Sequence, residues 1–147
     1  FEQGATGPLY GYPLINLRAE LIGARTHPVD STELAFEAAA SRALDSALNE
    51  ENARLLEPVM RLEIVVPEDD VGDVISTIST CRGEIEKVES RDQLRIVRAV
   101  APLSQLFGFA STLRSLTQGR GTYSMEPFEY RPVPKGALDF QRGGSYI

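Results

Sequence analysis

The sequence predicts an α+β protein, because residues 58–134 contain a strand–helix–strand pattern twice. In each copy an apolar strand runs into a proline, Pro67 or Pro102, a residue suited to the first turn of a helix. Gly83 and Gly119 end the two predicted helices, and each is followed by another extended segment. The predicted order is therefore β-α-β-β-α-β, which is the ferredoxin-like arrangement.

The predicted core of this unit comes from alternate strand residues and from one stripe of each helix. It comprises Met60, Leu62, Ile64 and Val66 on the first strand, Leu94, Ile96 and Val100 on the next apolar strand, Val71, Val74, Ile75 and Ile78 on the first helix, and Leu103, Leu106, Phe107, Ala110 and Leu113 on the second. Both helices would then cover one face of a four-stranded antiparallel sheet.

Residues 1–57 predict a separate, smaller piece of structure. Apolar and polar residues alternate over 14–22, which predicts a strand with one solvent-exposed face. A polar loop follows, and Asp30 with Glu33 forms a predicted capping box for an alanine-rich helix. Residues 135–147 are predicted to be a tail.

Charge is distributed very unevenly along the chain. Residues 28–92 hold 16 Asp and Glu against 6 Lys and Arg, whereas residues 93–125 hold no acid at all. That acid-free window contains Arg95, Arg98, Arg114 and Arg120. Because a guanidinium fits phosphate oxygens well, the window predicts contact with an anion or RNA. A solvated charged face is the alternative interpretation.

Composition and motifs exclude several classes of function. The net charge of −6 argues against indiscriminate binding to nucleic acid, so any RNA contact must be local. The single cysteine, Cys81, excludes an internal disulfide and fits a reducing compartment. No phosphate-binding loop, metal-ligand spacing or catalytic dyad is present, so we expect no catalytic residue and no metal in this chain. We interpret the acids at 68–73 as a helix N-terminus rather than a cation site.

Five segments closely resemble elongation factor G of bacteria and organelles. They include HPVDSTELAFEAAASRAL, LLEPVMRLEIVVPEDDVGDVISTI and VRAVAPLSQLFGFASTLRSLTQGRGTYSMEPFEY, and the likeness runs from about Gly7 to Pro134. The resemblance implies that residues 1–57 are the second half of that factor's domain IV, which has a ribosomal-protein-S5-like β-α-β fold. It implies that residues 58–134 are the ferredoxin-like domain V. The chain starts at Phe1, and we expect it to be a fragment.

The same resemblance implies a part of a translational GTPase that moves tRNA and mRNA through the ribosome. His27 matches the tip-loop histidine of the family, so His27, with Arg25 beside it, would contact the tRNA–mRNA helix in the small-subunit decoding region. Large-subunit rRNA would be contacted by residues at the start and end of the second domain V helix: Ser104, Phe107, Gly108, Ser111, Arg114, Gln118 and Arg120. GTP and Mg²⁺ would bind only the parent protein's absent GTPase domain. Neither membrane nor DNA is an expected partner, and the expected location is the cytoplasm or an organellar matrix.

Two departures from the family pattern leave alternatives open. Pro28 stands where family members usually carry an acid, and residues 22–26 differ from the usual tip. A paralogue that acts in ribosome recycling or ribosome protection is therefore one alternative. A free-standing ferredoxin-like regulatory module is the other.

Overall fold

The structure, a computed structural model, describes residues 11–49 and 52–134. The chain divides between Leu55 and Leu56 into two units. The predicted tail, 135–147, lies outside the described residues.

The first unit contains helix α1 (Glu33–Ala47), which begins two residues later than the capping prediction requires. Thr32 is the N-cap, and its hydroxyl accepts a hydrogen bond from the Ala35 N–H at 3.2 Å. The predicted cap, Asp30, lies instead in the preceding turn, where its carbonyl accepts from the Thr32 N–H at 3.0 Å. Either side chain suits an N-cap, so the turn that ends at Asp30 decides which of them caps the helix.

The strand predicted over residues 14–22 is wrong, since the structure has none there. Asn16 has a φ of +56°, a left-handed conformation that interrupts an extended run. A strand also needs a neighbour to receive its N–H and C=O groups, and the described residues of this unit provide none. The apolar stripe of α1 is likewise not buried within these residues, and Phe36 is 44% exposed.

The second unit confirms the predicted β-α-β-β-α-β order. Its elements are β1 (Leu56–Pro67), α2 (Val71–Thr80), β2 (Glu84–Arg91), β3 (Leu94–Pro102), α3 (Phe109–Leu116) and β4 (Thr122–Pro132). The sheet order is β2-β3-β1-β4 with every neighbouring pair antiparallel. A short 3-10 turn follows each proline, Glu68–Asp70 before α2 and Leu103–Gln105 before α3.

One face of the sheet, together with both helices, forms the core. The core residues are Met60, Leu62, Ile64, Val66, Val74, Ile78, Val97, Ala99, Ala101, Leu106, Phe109 and Leu113. All four predicted residues of β1 belong to it, as do the centres of both helices. This face therefore fixes α2 and α3 against β1 and β3. Within residues 56–134 no helix lies on the opposite sheet face, which we call the helix-free face.

In two places the sequence predicted the wrong residues for the core. On β3, Leu94 is 42% exposed, while Val97 and Ala99 are fully buried on the helix-covered face. Apolar residues lie on both faces of this central strand, so alternation alone does not identify the inner one. Around α3, Phe107 is 83% exposed and Phe109 is 3% exposed, because the helix begins at Phe109 rather than directly after Pro102.

Candidate functional site

His27 and Arg25 lie in the exposed loop before α1. The His27 N–H donates to the Ser31 hydroxyl at 2.6 Å, and its Nδ1 lies 3.4 Å from the Val29 amide nitrogen and 3.2 Å from Asp30 Oδ2. The bond to Ser31 holds the backbone, and Nδ1 either accepts from the Val29 N–H or, when protonated, donates to Asp30, while the side chain remains 64% exposed. Nε2 makes no hydrogen bond within the described residues and can therefore reach an external hydrogen-bond partner. Arg25 is exposed and makes no ion pair within the described residues.

Helix α3 is anchored by its inward side, which determines what it presents outward. Gly108 precedes it with a φ of +84°, a conformation that favours glycine. Phe109 meets the Tyr123 ring edge-to-face with centroids 5.2 Å apart, and Leu113 is buried one turn later. Because residues three and four apart share a helix side, Ser111, Arg114 and Ser115 must face away from this core.

The outward residues form what we call the α3 strip, defined as Phe107, Ser111, Arg114, Ser115 and Gln118, all of them exposed. Within the described residues no carboxylate pairs with Arg114. The hydroxyls of Ser111 and Ser115 also make no internal hydrogen bond there, in contrast to Thr112, whose hydroxyl donates to the Gly108 carbonyl at 3.3 Å. The strip thus offers an aromatic ring, a free cation and unused donors. Ser115 was not predicted, although its helical spacing from Ser111 could have indicated it.

The acid-free window of the sequence does not form an acid-free surface in the structure. Carboxylates from the acidic segment reach three of its four arginines. Arg95 pairs with Glu68, Arg98 with Glu63 and Glu89, and Arg120 with Asp70. Only Arg114 of the four stays unpaired in the described part of the chain. Its free charge, rather than the sum of all four, is what distinguishes the α3 strip.

Ser104 lies in the 3-10 turn before α3, where it forms part of a hydrogen-bond network instead of being free. Its hydroxyl lies 3.1 Å from Glu57 Oε2 and 3.4 Å from Arg82 Nη2. Arg82 in turn holds the same carboxylate through two hydrogen bonds. Of the predicted residues near this end of the helix, Phe107, Gly108 and Ser111 are exposed, and a Cβ at Gly108 would meet nothing within 4 Å.

The turn after α3 carries Gln118 and Arg120 and is organised by Thr117, a fully buried polar residue. The Thr117 hydroxyl donates to the Leu113 carbonyl and accepts from the Gly121 N–H, both at 2.8 Å. Its carbonyl accepts from the Arg120 backbone N–H at 2.9 Å and from Arg120 Nε at 3.2 Å. Thr117 and the acidic partner Asp70 were not predicted, because both act through contacts that spacing along the chain does not indicate.

The helix-free sheet face is unsuited to RNA because carboxylates surround its basic residues. Arg98 lies 3.1 Å from Glu63 and 3.4 Å from Glu89, and Lys87 lies 2.5 Å from Glu89. Hydrogen bonding to Lys87 and the nearby Arg98 lower the pKa of Glu89, while the bond to Glu63 and the charge of Glu89 raise the pKa of Arg98. Arg61 stacks on the Phe128 ring at 3.9 Å instead of leaving that ring free for a base.

Residues 11–49 and 52–134 contain no group of three or more acidic, histidine or cysteine side chains placed to hold a metal ion. Within the same residues no helix combines the length and apolar character that a membrane span needs.

Comparison with known proteins gives two family matches that together cover most of the chain. The family described as Elongation factor G, domain IV matches residues 1–52, and the family described as Elongation factor G C-terminus matches residues 54–139. A crystal structure of a protein from Thermus thermophilus is similar over 95% of the chain, with a TM-score of 0.81 and 35% sequence identity. The chain spans 21% of the length of that protein's chain.

Proposed function

The chain belongs to the elongation factor G family of translation elongation factors, and on that basis we propose that it is the ribosome-binding part of a translational GTPase that promotes tRNA–mRNA translocation. In this proposal the chain supplies contacts rather than catalysis. GTP and Mg²⁺ bind a separate domain of the parent protein, and the protein acts where ribosomes are, in the cytoplasm or an organellar matrix.

The α3 strip is the observation that carries the proposal. Arg114 provides an uncompensated guanidinium, and the neighbouring Ser111 and Ser115 provide hydroxyls without internal partners in the described part of the chain. Phosphate and sugar oxygens are the acceptors that such groups bind in RNA. Phe107, 83% exposed at the start of the strip, can stack on an unpaired base. The strip therefore suits large-subunit rRNA, with Gln118 and the Gly108 backbone as further contacts.

The acidic helix-free face supports one orientation of binding. Its carboxylates repel phosphate, so an RNA partner must approach from the helix side of the sheet. Because the chain carries a net charge of −6, RNA can bind only at a local surface whose shape is complementary to it.

Binding of the chain to isolated large ribosomal subunits tests this assignment. We expect the charge reversal Arg114→Glu to weaken retention on the subunits, and we expect retention of the wild type to fall with rising salt. Arg91→Glu is the matched control, because Arg91 is an exposed arginine on β2 that makes no ion pair within the described residues. Equal retention of both variants would contradict the assignment of the α3 strip. Binding of other partners without ribosomes would instead favour a free-standing regulatory module.

The loop of His27 and Arg25 is assigned to the tRNA–mRNA helix in the decoding region. Its support is the exposed ring with one nitrogen left free and the guanidinium two residues away, which is unpaired among the described residues. In the parent factor, His27→Ala should slow single-round translocation more than GTP turnover. Equal slowing of both reactions would contradict the assignment.

A ribosome-recycling or ribosome-protection paralogue is the second candidate function. The departures from the family pattern described in the sequence analysis favour it, namely Pro28 after the histidine and the segment at 22–26. The same variant separates the two, because recycling should tolerate His27→Ala and translocation should not.

A further inference from the structure

Arg120 differs from Arg114 in that its side chain is held in place. Its Nε donates to the Thr117 carbonyl at 3.2 Å, and its Nη2 donates to Asp70 Oδ2 at 3.1 Å. A guanidinium has five N–H donors in a rigid fork, so these two bonds orient the group and leave the other donors available. The side chain is still 52% exposed. The Arg120 guanidinium is therefore held at two of its donors while about half of the side chain is exposed.

Asp70 directly precedes α2, and its side chain makes no hydrogen bond to the first N–H groups of that helix. Its backbone is helical, with φ −93° and ψ −7°, whereas a capping residue has a non-helical backbone. The carboxylate is therefore available to a partner outside the helix. Here the carboxylate, with only 15% of the side chain exposed, contacts an arginine 50 residues away along the chain.

Thr117 supplies the other half of the support. It is buried, and its hydroxyl and carbonyl fix both Gly121 and Arg120 relative to the end of α3. The turn contains two consecutive left-handed residues, Gln118 at φ +52° and Gly119 at φ +80°. A turn of this kind holds its shape only where surrounding contacts determine it.

We propose that Asp70 and Thr117 are positioning residues that orient Arg120 for contact with an rRNA phosphate, an inference that rests on the proposed function. A restrained side chain loses less conformational entropy on binding than a free one. An arginine fork also binds phosphate with defined geometry, so its orientation matters as well as its charge. The ion pair with Asp70 therefore prepares Arg120 for binding, although it lowers the net charge nearby.

Affinity of the chain for isolated large ribosomal subunits, measured for a set of Asp70 variants, tests the inference. Asp70→Ala should weaken binding by roughly threefold to tenfold, because it frees the guanidinium. Asp70→Asn keeps an acceptor oxygen and should bind within about twofold of the wild type, or more tightly. Asp70→Ala binding as tightly as the wild type, or more tightly, would overturn the inference, since the carboxylate would then only neutralise Arg120.

A double-mutant cycle separates positioning from general structural effects. Arg120→Ala should weaken binding and reduce the salt dependence, by a slope of about 0.9 for each phosphate that the chain no longer neutralises. In that background Asp70→Ala should cause no further loss, because its partner is gone. A further loss would show that Asp70 acts elsewhere and would refute the inference. Thr117→Val should weaken binding and Thr117→Ser should restore it, whereas unchanged binding of Thr117→Val would count against the role of the hydroxyl.

Failure of this inference is distinguishable from failure of the proposed function. A wild-type chain that does not bind large subunits contradicts the proposed function itself. A wild type that binds, is weakened by Arg114→Glu, and is unaffected by Arg120→Ala contradicts only the role assigned here to Arg120 and its supports.

Discussion

Glu57 and Arg82 form a bidentate ion pair that ties the start of β1 to the turn after α2. Arg82 Nη1 lies 2.9 Å from Glu57 Oε1, and Arg82 Nη2 lies 2.8 Å from Glu57 Oε2. The Glu57 side chain is only 11% exposed, and Arg82 has a left-handed φ of +55° in the turn that follows the Cys81 C-cap of α2. Two parallel charge-assisted bonds to one carboxylate give this pair a defined geometry.

Removing the arginine of this pair should destabilise the second unit. Arg82→Ala leaves the Glu57 carboxylate largely desolvated, with Ser104 as its remaining side-chain partner among the described residues, so we expect a loss of about 1–3 kcal/mol in the free energy of unfolding. Urea denaturation measures the change. Arg91→Ala, at an exposed arginine without an ion pair in the described residues, is the control and should change stability little. An Arg82→Ala unfolding curve that coincides with the wild-type curve would contradict the importance of the pair.

Gly121 is required for the close approach of the α3 turn to β1. A Cβ at this position would lie 2.8 Å from Thr117 Oγ1, 2.9 Å from Thr117 Cγ2 and 3.0 Å from Val66 Cγ1. Gly121→Ala should therefore cost about 1–3 kcal/mol, because these buried neighbours must move. Gly72→Ala is the matched control. It lies on α2, where an added methyl group would meet nothing within 4 Å, and it should stabilise the protein by about 0.4–1 kcal/mol. Thermal unfolding of the two variants should shift in opposite directions.

Phe107 and Phe109 should have separable roles in spite of lying two residues apart. Phe109 is 3% exposed and packs on Tyr123, so Phe109→Ala should cost about 3–5 kcal/mol of stability. Phe107 is 83% exposed, so Phe107→Ala should change stability by less than about 0.5 kcal/mol.

The same Phe107→Ala variant should instead weaken binding to large ribosomal subunits, since an exposed aromatic ring contributes about 1–3 kcal/mol per stacked base. Chemical denaturation and subunit binding measured on one preparation give both readouts. A destabilised Phe107→Ala chain, or one with unchanged binding, would disagree with the placement of this ring.

The lowered pKa of Glu89 makes stability depend on pH in acid. Hydrogen bonding to Lys87 and the charge of Arg98 favour the ionised carboxylate in the folded state. The folded pKa lies below the ordinary glutamate value of 4.5, so the contribution is fully present above that value. It is lost as the pH falls from 4.5 through the lowered folded pKa. Glu89→Gln should therefore reduce the acid sensitivity of unfolding in this range, whereas Glu37→Gln, at an exposed glutamate with no ion pair in the described residues, should leave it unchanged.

Local patterns predicted most of the second unit. The β1 face of Met60, Leu62 and Ile64 was predicted from strict alternation, because a period of two is unambiguous where one face is polar. Pro67 and Gly83 bracket α2, which begins at Val71 and ends at Thr80, through backbone preferences that do not depend on distant residues. The phase of β3 could not be predicted in this way, since both of its faces carry apolar side chains.

The first unit shows what alternation cannot determine. Residues 14–22 have the pattern of a strand, but extended backbone becomes a strand only when a neighbour accepts and donates its hydrogen bonds. The N-cap of α1 is likewise Thr32 instead of the predicted Asp30. Both side chains suit an N-cap, and the turn that precedes the helix determines which of them caps it.

By itself the sequence determined the order of helices and strands in residues 58–134, the family, and the exposed positions of His27 and Arg25. Tertiary structure alone decided which charges remain free. Asp70 reaches Arg120 across 50 residues, and Glu63 reaches Arg98 across 35. An acid-free stretch of sequence is therefore not an acid-free surface, because electrostatic interactions depend on distance in space, and folding brings carboxylates from elsewhere in the chain.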